Sequence, residues 1–365
     1  MNILFFNRSF YPDIEATGQF LTELCEDLTG FGHKITVIAG RSYHTNEKDK
    51  RFFIKKEEYK SIQIIRAHGT TFPKRLLLLR FINLGTYFLS AFFGGFLVRQ
   101  KPDVVIAQTD PPILGLLGLF FSWWYRAKFI YACKDIYPEI GIVTGKLKNP
   151  FLNFLLDKIN LLSFSQADKI TCLGEDMKKR IVEKSIDDNK IVVIHDWADT
   201  TKLYPVPLAE NPFIKKHNLE GKFVVMYSGN LGVTQDLERV IEVAKHLKER
   251  NDLKFLFIGE GVNKSALQDK AKKYNLQNVE FLPYQKHNEL IYSLNAASLH
   301  LVTMQKGLAG LIVPSKVYGI MACGKPFIAC VDKDSEVYDI TNKFNCGVSV
   351  EPEDINSMVI NIKWN

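Results

Sequence analysis

Apolar and polar residues alternate along the chain in blocks of the lengths typical of strands and helices. In the first half, the short apolar runs Ile3–Phe6 and Ile35–Ala39 predict buried strands, and the spacing of apolar residues in Thr17–Phe31 predicts a helix between them. Runs this apolar are expected in a parallel sheet covered by helices on both faces. The further strands predicted in this half are Val104–Ala107, Phe129–Ala132, Lys169–Cys172 and Ile191–Ile194.

The same alternation restarts after a polar stretch with three prolines, Asp196–Leu219, which we interpret as a linker. The second half has predicted strands at Phe223–Tyr227, Phe255–Ile258, Val279–Leu282, Leu299–Thr303 and Pro326–Ala329. Helices are predicted between them at Gln235–Arg250, Ser265–Tyr274, His287–Leu294 and Lys316–Cys323. The pattern therefore predicts two α/β domains, residues 1–200 and 201–365, whose ligands bind where loops follow the carboxyl ends of strands.

Composition fits this organisation, because 365 residues are enough for two domains and 46% of them are hydrophobic. The net charge of +7 suits phosphate-bearing ligands or an anionic membrane surface, and does not by itself indicate nucleic acid. The six cysteines have no CxxC spacing and lie in apolar runs, so we expect reduced core residues. Met1 leads directly into a strand, so we expect no signal peptide.

Two longer apolar stretches, Phe81–Val98 and Ile113–Tyr125, leave three alternatives open. They are buried helices of a globular domain, helices lying in a membrane interface, or a membrane span. Aromatic and basic residues beside apolar faces favour the interface over the span. A span would also separate the strand Val104–Ala107 from its sheet.

Glycine-containing loops follow the first strand of each half. Pro12–Gln19 contains Gly18 near a helix start, where free backbone N–H groups favour an anion; the alternative is an ordinary turn with Thr17 as the N-cap. Ser228–Gln235 holds the corresponding position in the second half and also suits a phosphate. It contains neither a dinucleotide fingerprint nor a P-loop sequence.

Two later loops carry further candidate residues. Phe257–Gly261 ends a strand in Gly-Glu-Gly, which alone is a weak signal. In Leu311–Tyr318, Ser315 resembles an N-cap and Lys316 falls in the first helical turn, where the helix dipole disfavours a cation. That conflict favours an anionic ligand for Lys316, and the alternative is a solvated lysine.

Taken in order, these segments resemble the retaining glycosyltransferases of family 4, which have the GT-B fold. The resemblance rests on Tyr11–Gly18, Gly32–Val37, Lys101–Val105, Val224–Gln235, Phe257–Gly261 and Met321–Pro326. It implies two Rossmann-like parallel-sheet domains facing a cleft. Relatives continue with further helices, so we expect the C-terminal end here to be short.

A closer resemblance is to bacterial enzymes that build O-antigen, capsule and colanic-acid-like polysaccharides. One branch of these uses a UDP-N-acetyl-L-fucosamine donor. The segments that carry this likeness are Pro314–Tyr318, Asp135–Glu139 and Asp196–Asp199.

The chain departs from the wider family at four positions. Leu311 and Gly319 stand where that family has two glutamates, and Asn230 and Gln235 stand where it has arginine and lysine. We interpret Lys316 as the cation that replaces the missing pair, with Asn230 and Gln235 giving neutral hydrogen bonds to the diphosphate.

The resemblance implies transfer of a sugar, for example an N-acetylated deoxyhexosamine, from a UDP-sugar to a lipid-linked acceptor in surface polysaccharide synthesis. We expect a metal-independent enzyme with no cofactor, peripheral at the cytoplasmic face of the plasma membrane. The nucleotide-sugar donor, the lipid-linked sugar acceptor, the membrane surface and a second glycosyltransferase subunit are candidate partners; nucleic acid is not. The alternatives are a non-catalytic partner subunit and a UDP-sugar epimerase of GT-B fold.

The expected residue roles follow from the same resemblance. Asp135 and Lys316 are candidate catalytic residues, and the nucleobase is expected near Phe281–Pro283. The candidate donor-binding residues are Gly18, Gly229, Asn230, Gln235, Glu260, Leu282, Ser315, Lys316 and Tyr318.

Overall fold

A computed structural model describes residues 1–13, 15–41, 53–72 and 77–364. The chain divides into two compact units, Met1–His195 and Asp196–Asn365. The predicted linker therefore belongs to the second unit, which begins slightly before the predicted domain boundary.

The first unit is built on an eight-stranded sheet with the strand order β3-β4-β2-β1-β5-β6-β7-β8. Every neighbouring pair is parallel except β3 and β4, which form an antiparallel hairpin at one edge. Its elements are β1 (Asn2–Phe6), α1 (Ala16–Gly30), β2 (Lys34–Ala39), β3 (Ile54–Tyr59), β4 (Ile62–Ala67), α2 (Leu77–Gly95), β5 (Val104–Gln108), α3 (Leu114–Tyr125), β6 (Lys128–Ala132), α4 (Glu139–Val143), α5 (Pro150–Gln166), β7 (Lys169–Cys172), α6 (Glu175–Glu183) and β8 (Ile191–Val193).

The direction of the crossovers assigns the helices to the two faces of this sheet. The chain moves one way from β1 to β2 and the other way from β4 through β8. Because such crossovers are right-handed, α1 covers one face while α2, α3, α5 and α6 cover the other. Phe5 packs in the cluster with Leu21 of α1, and Phe6 stacks 5.5 Å from Phe121 of α3, as strand alternation requires.

The second unit is a six-stranded, wholly parallel sheet with the order β11-β10-β9-β12-β13-β14. Its largest core cluster includes Val225, Phe255 and Leu301 from the strands. Its elements are α7 (Pro212–Lys216), β9 (Phe223–Ser228), α8 (Leu237–His246), β10 (Leu253–Ile258), α9 (Lys264–Lys273), β11 (Val279–Leu282), α10 (Leu290–Asn295), β12 (Leu299–Thr303), α11 (Lys316–Ala322), β13 (Phe327–Cys330), α12 (Glu336–Phe344), β14 (Gly347–Val350) and α13 (Ile355–Trp364).

The predicted α/β class is confirmed, with three local corrections. The stretch Asp196–Leu219 is more than a linker, because it contains α7 and buries Phe213 and Ile214 in the second unit. The helix predicted from Gln235 begins at Leu237, after a 3₁₀ turn. The β3–β4 hairpin was not predicted, since its outer strand is largely charged.

Both long apolar stretches form helices that lie on one face of the first sheet. Within the described part of the chain, no helix combines the length and the apolar character needed to cross a membrane. α2 and α3 instead pack one side on the sheet and leave aromatic side chains on the other, including Phe93 at 52% and Trp123 at 70% exposure. The cysteines are free, and all except half-buried Cys346 are buried.

Candidate active site

The order of the strands defines one crevice in each sheet. In a parallel sheet, loops diverge where the chain reverses direction across the sheet, and ligands bind there at the carboxyl ends of the strands. That point lies between β1 and β5 in the first unit and between β9 and β12 in the second. The loops that follow these strands are therefore the expected positions of binding and catalytic residues.

In the second unit, three strands end side by side. Ser228 at the end of β9 pairs with Ile258 of β10, and Ile258 pairs with Leu282 of β11. The register brings the predicted loop Ser228–Gln235, the predicted loop Phe257–Gly261 and Leu282 to one edge of the sheet.

Two of these loops are joined through their backbones. The N–H of Gly229 donates to the Ile258 carbonyl at 2.9 Å, and the N–H of Leu231 donates to the Glu260 carbonyl at 2.8 Å. Gly229 and Gly259 have φ of +142° and +148°, values that side chains rarely tolerate. A Cβ on residue 259 would also overlap the carbonyl oxygen of Gly229. The edge is thus bare backbone because the two glycines allow the strands' ends to approach.

The side chain of Lys316 places a buried amine at this edge of the sheet. Its Nζ lies 3.5 Å from the centre of the Tyr227 ring. A Cβ added to Gly229 would lie 3.2 Å from the same Nζ. Nζ is buried and has no hydrogen-bond partner. Because burial disfavours the charged form, the pKa of Lys316 lies well below its ordinary value.

Ser315 occupies the N-cap position of α11, as predicted, but its side chain makes no capping hydrogen bond. Tyr318 lies two positions after Lys316 on this helix, and residues at that spacing face different sides. Ser315 therefore accompanies Lys316 at the start of the helix, while Tyr318 points away from it.

The amides of Asn230 and Gln235 meet at Gly232. A Cβ there would lie 2.8 Å from Gln235 Oε1 and 2.9 Å from Asn230 Nδ2. Gln235 Oε1 is buried without a hydrogen-bond partner, and the Gln235 carbonyl accepts a 2.6 Å bond from Thr303 on β12. Hydrogen bonds therefore tie this loop to the strand across the switch point.

Glu260 and Leu282 differ in environment. The Glu260 carboxylate is 54% exposed and pairs with Lys264 at 2.6 Å, so its charge is already compensated. Leu282 is half-buried and packs against the cluster that contains Ile258. The structure thus places both at the same edge as Gly229, with Leu282 offering an apolar surface.

Tyr227 was missed by the sequence analysis. It is fully buried, its hydroxyl donates to the Asn230 carbonyl at 2.8 Å, and burial raises its pKa well above the ordinary value. A tyrosine inside an apolar strand is typical of a core residue. The sequence signal that could have indicated a role in the site was its position two residues before Gly229.

In the first unit, Gly18 lies inside the first turn of α1. The N-cap is Glu15 and not Thr17, and the Gly18 N–H already donates to the Glu15 carbonyl at 3.0 Å. A Cβ on residue 18 would overlap Ser9 Oγ. The free N–H expected at Gly18 is therefore absent, and close packing on Ser9 explains the glycine.

Asp135 lies in the loop between β6 and α4. The N–H groups of Lys134 and Asp135 both donate to Thr109 Oγ1 at 3.0 Å, which joins this loop to the end of β5. Asp135 does not cap the helix that follows, because the N-cap of α4 is Pro138.

Charged side chains lie at the switch point of the first sheet, and together with Asp135 they act on Tyr137. Arg8, which follows β1, pairs with Asp110 at 3.2 Å and with Glu15 at 3.3 Å. Burial, followed by the charges of Asp135 and Asp110, raises the pKa of Tyr137 to about 12. The arrangement provides carboxylates beside a neutral phenol, which suits recognition of sugar hydroxyls.

Glu139, the last residue of the Asp135–Glu139 segment, has a structural partner. Lys184, the C-cap of α6, pairs with Glu139 and, at 2.8 Å, with Asp157 of α5, and these contacts raise the pKa of Lys184. They fix α4 against two neighbouring helices. As for metals, no group of three His, Cys, Asp or Glu side chains with ligating geometry occurs in the part of the chain that is described.

Comparison with known proteins identifies the class to which these two sheets belong. The family model Glycosyltransferase Family 4 matches residues 17–202, and the model Glycosyl transferases group 1 matches residues 210–364. The chain belongs to glycosyltransferase family 4.

Two curated bacterial relatives are also described as glycosyltransferases. The chain is 31% identical over 261 residues to the probable glycosyltransferase WbjE of Pseudomonas aeruginosa, over 70% of this chain and 64% of that protein. It is 26% identical over its whole length, and over 91% of the relative, to the putative colanic acid biosynthesis glycosyl transferase WcaI of Escherichia coli K12.

Solved structures confirm the GT-B fold. Anabaena Alr3699/HepE, solved in complex with UDP, matches with a TM-score of 0.72 at 13% identity over 100% of this chain and 89% of that one. WaaG, a glycosyltransferase involved in lipopolysaccharide biosynthesis, matches with a TM-score of 0.70 at 15% identity over 99% and 90% of the two chains.

Proposed function

We propose that this protein transfers a sugar from a UDP-sugar to a lipid-linked acceptor during synthesis of a bacterial surface polysaccharide, with retention at the sugar carbon. The observation that carries the proposal is the buried, unpartnered Nζ of Lys316 beside the bare backbone of Gly229. A buried cation without a partner is costly unless an anion completes the site. A diphosphate lying on Gly229 would do so.

UDP is the proposed nucleotide because proteins of this fold have been solved with UDP. Its base would lie on Leu282, its diphosphate on Gly229 and Lys316, and the amides of Asn230 and Gln235 would donate neutral hydrogen bonds. A charge-assisted contact of this kind is worth about 1.5–3 kcal/mol. It would replace the two cations that the wider family has at the positions of Asn230 and Gln235.

In the proposed transfer, the bond between the sugar carbon and the diphosphate breaks, and a bond from an acceptor hydroxyl forms on the same side. The leaving diphosphate gains negative charge, which Lys316 and the backbone N–H groups would stabilise. The acceptor hydroxyl loses its proton, and Asp135 is the proposed carboxylate that receives it or orients the hydroxyl. No step requires a metal, and the metal-independence of the enzyme is part of the proposal.

The acceptor is proposed to be a membrane lipid because of the outward side of α2, α3 and α5, which we call the helix face. α3 packs against both neighbours, so the three helices form one layer on the sheet. Its exposed apolar residues include Leu89, Phe93, Trp123, Trp124, Phe151, Phe154, Leu155 and Leu162.

Basic side chains accompany this apolar surface. Lys158 lies over the Phe154 ring at 5.4 Å, and Lys148 and Arg126 are exposed near the ends of α5 and α3. Apolar and aromatic side chains interspersed with cations fit the interface of an anionic bilayer. We therefore propose that the helix face rests on the inner surface of the plasma membrane.

The test is incubation of the protein and bacterial membranes with a panel of radiolabelled UDP-sugars. We expect label from one donor, such as a UDP-N-acetylated deoxyhexosamine, to enter the lipid fraction. Lys316→Ala should lose this activity and bind UDP at least tenfold more weakly, whereas Lys264→Ala, which removes the ion-pair partner of Glu260 at the same edge, should retain both.

Other outcomes would identify the alternatives. Free sugar or an isomerised donor without labelled lipid would indicate an epimerase. Absence of turnover with the whole panel, together with activity only after a second glycosyltransferase is added, would indicate a non-catalytic partner subunit. UDP binding that is unchanged in Lys316→Ala would contradict the proposed donor site.

A further inference from the structure

The Lys316 amine is in an unusual position for a lysine that would bind phosphate, because no described residue compensates its charge. Nζ lies 3.5 Å from the centre of the Tyr227 ring and has no hydrogen-bond partner. The usual phosphate-binding lysine is a solvated ammonium ion. Here the amine is withdrawn from water before any ligand is bound.

The groups that face Lys316 from neighbouring elements are neutral or positive. On β9, Tyr227 is a buried phenol whose pKa is raised well above its ordinary value, so it is not an anion at neutral pH. On β12, His300 is fully buried and its Nε2 lies 2.9 Å from the Leu294 carbonyl. Burial lowers the pKa of His300 to about 4, so it is neutral as well.

Two carboxylates in the surrounding loops have other partners. Glu260 pairs with Lys264, and Asp236 pairs with Arg239. Among the described residues, burial alone accounts for the lowered pKa of Lys316, and no carboxylate opposes it. The site lacks the counter-charge that would hold a proton on the amine.

Among the side chains that the structure describes, the Tyr227 ring is the one contact we observe that favours a charged amine at this position. An aromatic face attracts an ammonium ion, but this attraction is smaller than the cost of burying an unpaired charge. Burial therefore prevails, and the neutral amine is favoured until an anion arrives. A diphosphate on Gly229 would reverse the balance, because it supplies the missing negative charge.

We propose that Lys316 is a neutral amine in the unliganded protein and that the diphosphate of the donor binds together with one proton, with Tyr227 as the positioning residue that holds the amine over Gly229. The proton comes from solvent, and no bond between heavy atoms changes. The inference rests on the proposed function, and it makes UDP binding tighter as the pH falls toward neutrality.

The test is isothermal titration calorimetry of UDP with the full chain in two buffers that differ in enthalpy of protonation. Measurements at about pH 8 avoid the phosphate of UDP itself, whose pKa is about 6. We expect uptake of up to one proton per UDP. Above the pKa of free Lys316, the dissociation constant should rise up to tenfold per pH unit.

Variants separate the amine from its support. Lys316→Arg should bind UDP without proton uptake, because arginine is always charged. Lys316→Met should bind at least tenfold more weakly, also without uptake. Tyr227→Phe keeps the ring and should keep the uptake, whereas Tyr227→Leu should weaken UDP binding severalfold and change the proton count.

Lys325→Met is the matched control. Lys325 is another lysine of this unit whose burial lowers its pKa, but it lies before β13, at the opposite edge of the sheet. Its replacement should leave the proton uptake unchanged.

The outcomes distinguish this inference from the function on which it rests. UDP binding by the wild type with no more proton uptake than in Lys316→Met would overturn the inference and leave the donor site intact. Uptake that is lost equally in Lys325→Met would also overturn it. Failure of the wild type to bind UDP under any condition would refute the proposed function, and this inference with it.

Discussion

Replacing Lys316 by methionine should make the unliganded protein more stable while it weakens UDP binding. The buried Nζ has no hydrogen-bond partner, and an unsatisfied buried polar group costs about 1–3 kcal/mol of folding free energy. Methionine has similar length and packs favourably against an aromatic ring such as that of Tyr227. We therefore expect the free energy of unfolding to increase by about 1–3 kcal/mol. For a unit of this size, each kcal/mol raises the unfolding midpoint by about 2–4 °C.

The effect should depend on pH with a defined sign. The pKa of Lys316 is lower in the folded protein than in the unfolded chain, so between the two values the unfolded chain binds the extra proton. Stability of the wild type should therefore rise with pH in this window, by up to about 1.4 kcal/mol per pH unit, until about pH 10.4. The Lys316→Met protein should lack this contribution.

The assay is thermal unfolding of both proteins with and without UDP. At a UDP concentration one hundred times the dissociation constant, the wild type should gain about 2.7 kcal/mol, and the variant much less at the same concentration. Lys333→Met is the control, because Lys333 is 71% exposed and its pairing with Glu351 should contribute little. A variant that is less stable than the wild type without UDP would refute the account of the buried amine.

Three further predictions concern other parts of the molecule. Gly259→Ala should lower the unfolding midpoint by several degrees and abolish UDP binding, because the added Cβ would overlap the Gly229 carbonyl; unchanged calorimetric affinity would contradict the backbone contact. Asp135→Asn should reduce sugar transfer at least a hundredfold and leave the UDP dissociation constant within twofold; equal loss of both would place Asp135 in the donor site instead. Replacing Trp123 and Trp124 by serine should reduce sedimentation with anionic lipid vesicles severalfold, whereas Phe31→Ser, which alters an 80% exposed residue after the helix on the other face, should not.

The sequence predicted most of the fold because long parallel strands have an unambiguous pattern. Runs such as Val104–Ala107 are apolar at every position, and the structure extends that strand by a single residue. The β3 strand escaped prediction because its Lys-Lys-Glu-Glu core is the pattern of an exposed edge and not of a buried strand. The exposed apolar residues of α5 were not predicted to be exposed, because apolar residues at helical spacing are typical of a buried helix face.

In the sequence, a candidate site residue could be recognised where it broke a local rule. Lys316 stood out because a cation at the start of a helix needs another explanation, and the structure places its amine at the loops that the glycines had indicated. Tyr227 broke no such rule, so its sequence context was that of an ordinary core aromatic residue, although its ring contacts the Lys316 amine. Gly18 was the reverse case, because a glycine near a helix start suggested an anion, while its close approach to Ser9 gives a packing reason for the glycine.

The single layer formed by α2, α3 and α5 has a consequence for substrate geometry. If this layer lies flat on a bilayer, the strands run parallel to the lipid surface and are held above it by one helix diameter, about 10 Å. The loop that carries Asp135 then opens sideways, along the membrane plane. The hydroxyl that accepts the sugar must stand clear of the lipid head groups by a comparable height, which a bare phospholipid cannot reach and a lipid already extended by a diphosphate and a sugar can.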